Sequence, residues 1–287
     1  MKKAFIVFIC ILLCGCASKE IENVDYDSIN NFNYDSISQY DGFLHSKEHL
    51  LVRMSDLNVL LSKDADKKIY PASLTKLMTL DTVLNCFDDF SSTSSFTYEQ
   101  FLQLIDDDAS LAGLDTDYEY TIEELLYALI LPSGADGAVA LENYFKKNGL
   151  NLAEEMNKQL KQLGCNDTNF VNTTGLHDDE HYTTLNDLFK IVMDVLSFEE
   201  GRKILETTRY RTSDGIILMS SLKFTERDDV TILGGKTGFT TESGESVLVL
   251  FKKNNRSYIL IVANAEGNPY EQEFFHFEDV MEIISTL

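Results

Sequence analysis

The sequence predicts an α+β domain: an antiparallel sheet closed by segments from distant parts of the chain, flanked by helices, with a mainly helical subdomain inserted. Three observations carry this. Short β-rich runs open the ordered part, helical periodicity fills the middle, and valine- and isoleucine-rich runs return near the end. The 287 residues are ample for a core, and 44% apolar with 25% charged residues is an ordinary globular balance.

Leu50 to Met54 and Leu57 to Ser62 read as two strands joined at Ser55-Asp56. Lys63-Asp64-Ala65-Asp66 is a loop. After Pro71 the run Leu74, Leu77, Met78, Leu80, Val83 and Leu84 is apolar around most of a helix, which predicts a buried helix. From Asp88 to Tyr120 the chain is Ser/Asp-rich, irregular with small helices. Thr121-Ile122-Glu123-Glu124 is a capping box opening a helix that Pro132 stops. Further helices are expected over Asp136–Lys147, over Asn151–Leu163 and from Thr184 onward, the last with Leu188, Ile191, Val192 and Val195 on one face. Beyond residue 206, Arg209–Leu218 and Val230–Leu233 read as strands. Ser246–Phe251 and Tyr258–Ala263 are strands joined by a turn at Lys253-Asn254-Asn255. Glu271–Leu287 reads as a helix packing on them. The helical subdomain is thus expected at roughly 85–200.

Residues 1–16 are a secretory signal. Lys2 and Lys3 precede an apolar stretch from Ala4 to Leu13, too short to span a bilayer comfortably. The cleavage region Leu13-Cys14-Gly15-Cys16 resembles a bacterial lipoprotein signal, which implies that Cys16 receives the lipid. Export across the cytoplasmic membrane and anchoring on its outer face follow as expectations. Residues 17–44 form a polar tether containing Tyr-Asp-Ser-Ile at Tyr26 and again at Tyr34, and 45–287 form the domain. Cys86 and Cys165 are expected as buried thiols rather than a disulfide. The net charge of −23 and the lack of a basic patch argue against nucleic-acid binding. Between Leu77 and Phe145 there are fourteen acidic residues and no Lys or Arg, as on a solvated surface.

Chemistry concentrates in three clusters. In Ser73-Leu74-Thr75-Lys76 the serine and lysine fall one helical turn apart on one face. A buried lysine tends to lose its proton and can act as a base on that serine. The spacing alone is weak evidence, because Ser220-Ser221-Leu222-Lys223 repeats it. The second cluster is Pro132-Ser133-Gly134-Ala135-Asp136, a serine in a helix break. The third, Gly234-Gly235-Lys236-Thr237-Gly238, falls where a strand is expected. A lysine charge, a threonine hydroxyl and glycines there suit the grip of a substrate carboxylate and the close approach of a ligand backbone.

The order and spacing of these clusters resemble the penicillin-recognising serine enzymes, in particular the low-molecular-weight D-alanyl-D-alanine carboxypeptidases, over about Leu51 to Ala265. Leu131-Pro132-Ser133-Gly134, Asn169-Phe170-Val171-Asn172 before Gly175-Leu176, and His181-Tyr182-Thr183-Thr184 add to the likeness. The resemblance implies a β-lactamase/transpeptidase-like fold and hydrolysis through an acyl-enzyme, without metal or cofactor. It casts Ser73 as nucleophile, Lys76 as general base and Ser133 as proton relay. Lys236 and Thr237, next to Gly238, would hold the substrate carboxylate, and the N–H groups of Ser73 and Phe239 would form the oxyanion hole. The implied partners are peptidoglycan stem peptides ending in D-Ala-D-Ala, and β-lactams as inhibitors. One departure stands out: Ala135 occupies the place of the family's Asn, with Asp136 one position late. Either a neighbour substitutes for that amide or activity is altered. Rival readings are a β-lactamase, for which Glu180 is the nearby acid, and an impaired cell-wall peptide or β-lactam binder. A zinc site on His177 and His181 would need a helix where a loop is expected.

Overall fold

The computed structural model describes residues 40, 42–224 and 227–287. The signal, Cys16 and both Tyr-Asp-Ser-Ile copies lie outside the described residues.

The first two strands, β1 (Glu48–Arg53) and β2 (Asn58–Lys63), pair antiparallel, as the alternation predicts. A 3-10 turn (Ala72–Leu74) leads into α1 (Thr75–Cys86), buried over most of its length. A two-residue strand β3 (Thr93–Ser94), helix α2 (Tyr98–Asp106) and strand β4 (Tyr120–Thr121) order the acidic stretch. Helix α3 (Ile122–Ile130) opens on the expected capping box, with Thr121 Oγ1 accepting from Glu124 N and Glu124 Oε2 accepting from Thr121 N. Such a cap is worth about 1 kcal/mol.

Helices α4 (Ala135–Lys147), α5 (Leu152–Gln162) and α6 (Leu185–Ser197) follow where periodicity placed them, and α7 (Glu199–Glu206) adds one more. The single strand expected over 209–218 is instead a small separate hairpin, β5 (Arg209–Arg211) and β6 (Ile217–Met219). Its turn is fixed by Asp214 accepting from Ile216 N and from Thr212 Oγ1. The long strands β7 (Val230–Thr240), β8 (Gly244–Lys253) and β9 (Arg256–Ala265) complete the sheet, in the order β2-β1-β9-β8-β7. The last helix, α8 (Phe275–Ser285), starts later than expected because a 3-10 turn at Pro269–Glu271 precedes it.

The central strands β8 and β9 are covered on both faces. Leu248, Leu250, Ile259 and Ile261 join one continuous core with the helices. Val247, Val249, Leu260 and Val262 face α8 on the other side. This period-2 division explains why those runs are apolar throughout. The end of the predicted tether lies against α8: Tyr40 donates to Glu282, and the His45 and Phe275 rings stack. Cys165 is buried as expected, but Cys86 is exposed, because it is the last residue of α1 and has left the core. For the site, the consequence is that β7 forms one edge of the sheet and runs against the turn that carries Ser73.

Candidate active site

Ser73 lies in the 3-10 turn just before α1, not within the α-helix itself. Ala72 takes a left-handed conformation (φ 46°), and Leu74 N closes the turn on Pro71 O at 3.0 Å. Lys76, in the first turn of α1, is 2% exposed. Its Nζ lies 3.0 Å from Ser73 Oγ and donates to the Thr174 carbonyl at 2.6 Å. Burial disfavours the ammonium and pulls this lysine down to about 7, although the nearby Asp136 charge works the other way. The expected serine–lysine contact is therefore made.

The loop that supplies the Thr174 carbonyl is fastened to α1 at several points. Thr79 Oγ1 donates to Thr173 O at 2.8 Å, and Asn172 Oδ1 accepts from Gly175 N at 2.7 Å. Gly175 (φ 84°) passes so near the Ser73 turn that a Cβ would sit 1.9 Å from Ala72 O. His181 Nδ1 accepts from Val171 N at 3.1 Å, which leaves the proton on Nε2, 2.7 Å from Thr75 Oγ1. Burial lowers this imidazole to about 4 and keeps it neutral. The segment from His177 to His181 is a loop, and both His181 nitrogens are occupied, so this histidine is a strut for the first turn of α1.

Ser133 stands where Pro132 ends α3. It has a left-handed backbone (φ 66°), uncommon for a residue other than Gly, Asn or Asp. Its Oγ accepts from Lys236 Nζ at 2.8 Å, and Lys236 also donates to the Thr237 carbonyl at 2.8 Å. Lys236 is fully buried, and its ammonium is strongly disfavoured by burial and then by the Lys76 charge. Lys236 Nζ is thus held behind Ser133, one of the residues that line the cleft. Thr237, Gly238 and Phe239 also line it. Gly238, which lines the cleft, also gives close passage to the protein's own backbone. A Cβ at Gly238 would lie 3.0 Å from Pro71 O and 3.3 Å from Ser73 N.

At the departure from the family pattern, Ala135 is 1% exposed and its N–H donates to Ser110 O at 2.7 Å. Asp136 does not replace an amide. Its buried carboxylate accepts from Ala112 N (2.9 Å), Gly113 N (2.9 Å) and Leu114 N (3.1 Å), pinning the loop after α2 over this corner. Ser73, Lys76, Ser133, Thr237 and the pinned loop thus open on one cleft of about 800 Å³. Tyr270 OH donates to Asp108 at 3.1 Å, between two segments of its wall. The acids lining the cleft are Asp107, Asp108 and Glu242; Glu180 lies outside it. Sequence reasoning missed the Thr174 carbonyl, Ser221 and Lys223 as cleft residues. Only the second serine–lysine spacing pointed at the last two.

The family described as D-alanyl-D-alanine carboxypeptidase matches residues 36–267. The chain is similar to the D-alanyl-D-alanine carboxypeptidase DacF of Bacillus subtilis, at 27% identity over 77% of this chain and 57% of the relative. It is also similar to the carboxypeptidase DacA of Haemophilus influenzae, at 26% identity over 76% of this chain and 56% of the relative. The chain therefore spans just over half the length of these curated relatives. In fold it resembles the Streptomyces K15 DD-transpeptidase, with a TM-score of 0.73 at 22% identity over 86% of this chain and 98% of that one. Penicillin-binding protein D2 of Listeria monocytogenes, solved in a cefotaxime-bound form, gives a TM-score of 0.69 at 23% identity over 86% of this chain and 98% of that one. With well over half of its residues matched, the chain belongs to the D-alanyl-D-alanine carboxypeptidase family.

Proposed function

We propose that this protein is a serine D-alanyl-D-alanine carboxypeptidase that trims the terminal D-alanine from peptidoglycan stem peptides and is acylated by β-lactams. The observation that carries the reading is the buried Lys76 amine, lowered to about 7, at 3.0 Å from Ser73 Oγ. A neutral amine keeps a lone pair for the serine proton while an N–H still donates to Thr174 O. Ser73 Oγ attacks the carbonyl between the two D-alanines as its proton passes to Lys76. The developing oxyanion is received by the N–H groups of Ser73 and Phe239; the close approach of Gly238 to the Ser73 turn supports this pairing. As the C–N bond breaks, Ser133, held by Lys236, relays a proton to the leaving amine. Water then attacks the acyl-enzyme ester, releasing the shortened peptide and restoring the serine.

The same reading gives the chain its organisation: a lipoprotein-type signal over 1–16, a tether over 17–44 and the catalytic domain over 45–287. A lipid on Cys16 would hold the domain on the outer face of the cytoplasmic membrane, within reach of the cell wall. Two measurements test the activity together. Purified protein labelled by a fluorescent penicillin should release D-alanine from a muropeptide ending in D-Ala-D-Ala. Labelled protein that releases none overturns the carboxypeptidase reading.

A further inference from the structure

We propose that the hydrogen bond from Tyr270 to Asp108 is a strap across the cleft that selects substrates by their bulk upstream of the scissile bond. It admits an unbranched stem peptide and holds out one whose side chain carries a second peptide, as in a cross-linked wall. The proposal rests on the carboxypeptidase reading and names the substrate class of that same site. Along β7, Thr237 comes first and Phe239 next, and Thr240, Thr241 and Glu242 follow, all of them lining the cleft. With the terminal carboxylate at Thr237 and the reacting carbonyl at the Phe239 N–H, the upstream residues of the peptide lie toward Thr241 and Glu242. Tyr270 stands at that end, its ring edge-on to Phe239 with 5.9 Å between centroids.

The two ends of the strap belong to different halves of the fold. Asp108 follows α2 in the helical subdomain, whereas Tyr270 lies in the 3-10 turn between β9 and α8. Tyr270 OH donates to Asp108 Oδ2 at 3.1 Å, so the bond joins the helical wall of the cleft to the sheet wall. The backbone is fixed at both ends. Asp108 N donates to Ile105 O at 3.1 Å and Ala109 N to Leu104 O at 2.9 Å. At the other end Asn268 Oδ1 accepts from Tyr270 N at 3.0 Å, and Asn268 O accepts from Glu271 N at 2.9 Å. The link between these anchors is a side chain that is 73% exposed. A single exposed hydrogen bond is weak, and rotation of one side chain opens it. A smaller cavity of about 330 Å³ adjoins the cleft here, and Phe239, Thr241, Glu242 and Tyr270 line both. Release of Tyr270 joins the two spaces, which gives a branch somewhere to go.

The test is a ratio that a merely structural role would not move. It is kcat/KM for a peptide ending in Nε-acetyl-L-Lys-D-Ala-D-Ala, divided by that for the same peptide with a tetrapeptide acylating the lysine side chain. Wild-type protein should favour the first at least about fivefold, the worth of one exposed hydrogen bond to a carboxylate. Tyr270→Phe, which removes only the hydroxyl, and Asp108→Ala, which removes only its acceptor, should each erase most of this preference. The change should come from a rise in kcat/KM for the branched peptide, which damage to the fold would not produce. Asp108→Asn keeps an acceptor oxygen and should keep most of the preference. Thermal melting reports that each variant has folded. A wild-type ratio near one overturns the proposal, and so does a wild-type ratio retained in Tyr270→Phe or in Asp108→Ala. If wild-type protein labels with penicillin yet releases no D-alanine, the carboxypeptidase reading fails by itself. Acylation rates for a penicillin with a small acylamino side chain, divided by those for one with a bulky side chain, then decide the strap on the same criterion.

Discussion

Ser73-x-x-Lys76 and Ser220-x-x-Lys223 share a spacing, and both reach the same cleft, yet their chemistry differs. The first spans the turn into a helix, where residues three apart face each other and the amine comes to 3.0 Å from the hydroxyl. The second lies in irregular chain, where the Ser220 hydroxyl accepts from Leu222 N at 3.3 Å. Burial separates the two lysines further. Lys76 is enclosed and lowered to about 7, which makes it a base near neutral pH. Lys223 is exposed, with its Nζ over the Phe274 ring. Backbone conformation decides whether the pair meets, and burial decides what the lysine then does.

The strongest way to break this comparison is to remove the nucleophile. Ser73→Ala should reduce labelling by a fluorescent penicillin at least about 10⁴-fold, with melting unchanged. Surviving label would mean that another serine is acylated. Lys76→Met tests the base: the acylation rate constant should fall about 10³-fold. Stability should hold or rise, because a buried lysine costs folding energy that methionine does not. A rate within tenfold of wild type would remove Lys76 from the mechanism.

The pH dependence sharpens the same contrast. Below about 7 the Lys76 amine takes up a proton and can no longer accept one from Ser73. Acylation should therefore fall ever closer to tenfold per pH unit, about 50-fold between pH 7 and pH 5. The sign is that of a base whose active form is lost on acidification. Lys223→Met should keep this acid limb, since Lys223 is not the base. Burst acylation measured by stopped flow from pH 5 to 9 checks both claims. A limb that moves with Lys223 and not with Lys76 would reverse the assignment.

Much of this was legible in the sequence because it depended on local spacing. The capping box at Thr121-Glu124, the Pro132 stop and the alternation of β8 and β9 each carry their own signal over a few residues. The contact between Ser73 and Lys76 was legible for the same reason. What escaped were contacts made by backbone atoms and by distant segments. No residue type marks the Thr174 carbonyl that holds Lys76, and nothing near Ser221 shows that it meets Thr237. The motif marks Lys236, but not its contact with Ser133, 103 residues away. Asp136 shows the same limit, since three of its four backbone partners lie more than twenty residues earlier.

Asp136 therefore gives the next prediction. Asp136→Ala leaves the N–H groups of Ala112, Gly113 and Leu114 without their acceptor in a buried corner. This should cost about 3 kcal/mol, seen as a melting point lower by about 5–10 °C. Asp136→Asn keeps the shape but loses the charge and one acceptor oxygen, so it should fall between the two. Peptide turnover should drop in step, because this loop forms one wall of the cleft beside Ser133. An Asp136→Ala protein that melts with wild type would mean that the loop is held by other contacts.

The smallest expected effect closes the comparison where it is most discriminating. Ser220 matches the nucleophile in sequence spacing, and its neighbour Ser221 lines the cleft. Spacing alone would therefore forecast a loss of labelling on its removal. The geometry forecasts otherwise, because the Ser220 hydroxyl faces its own chain and its spacing partner Lys223 lies over Phe274. Ser220→Ala should change penicillin acylation and D-alanine release by less than about twofold, within the range of one exposed neutral hydrogen bond. A tenfold loss, with melting intact, would show that the Ser220–Leu222 turn positions Ser221 against Thr237.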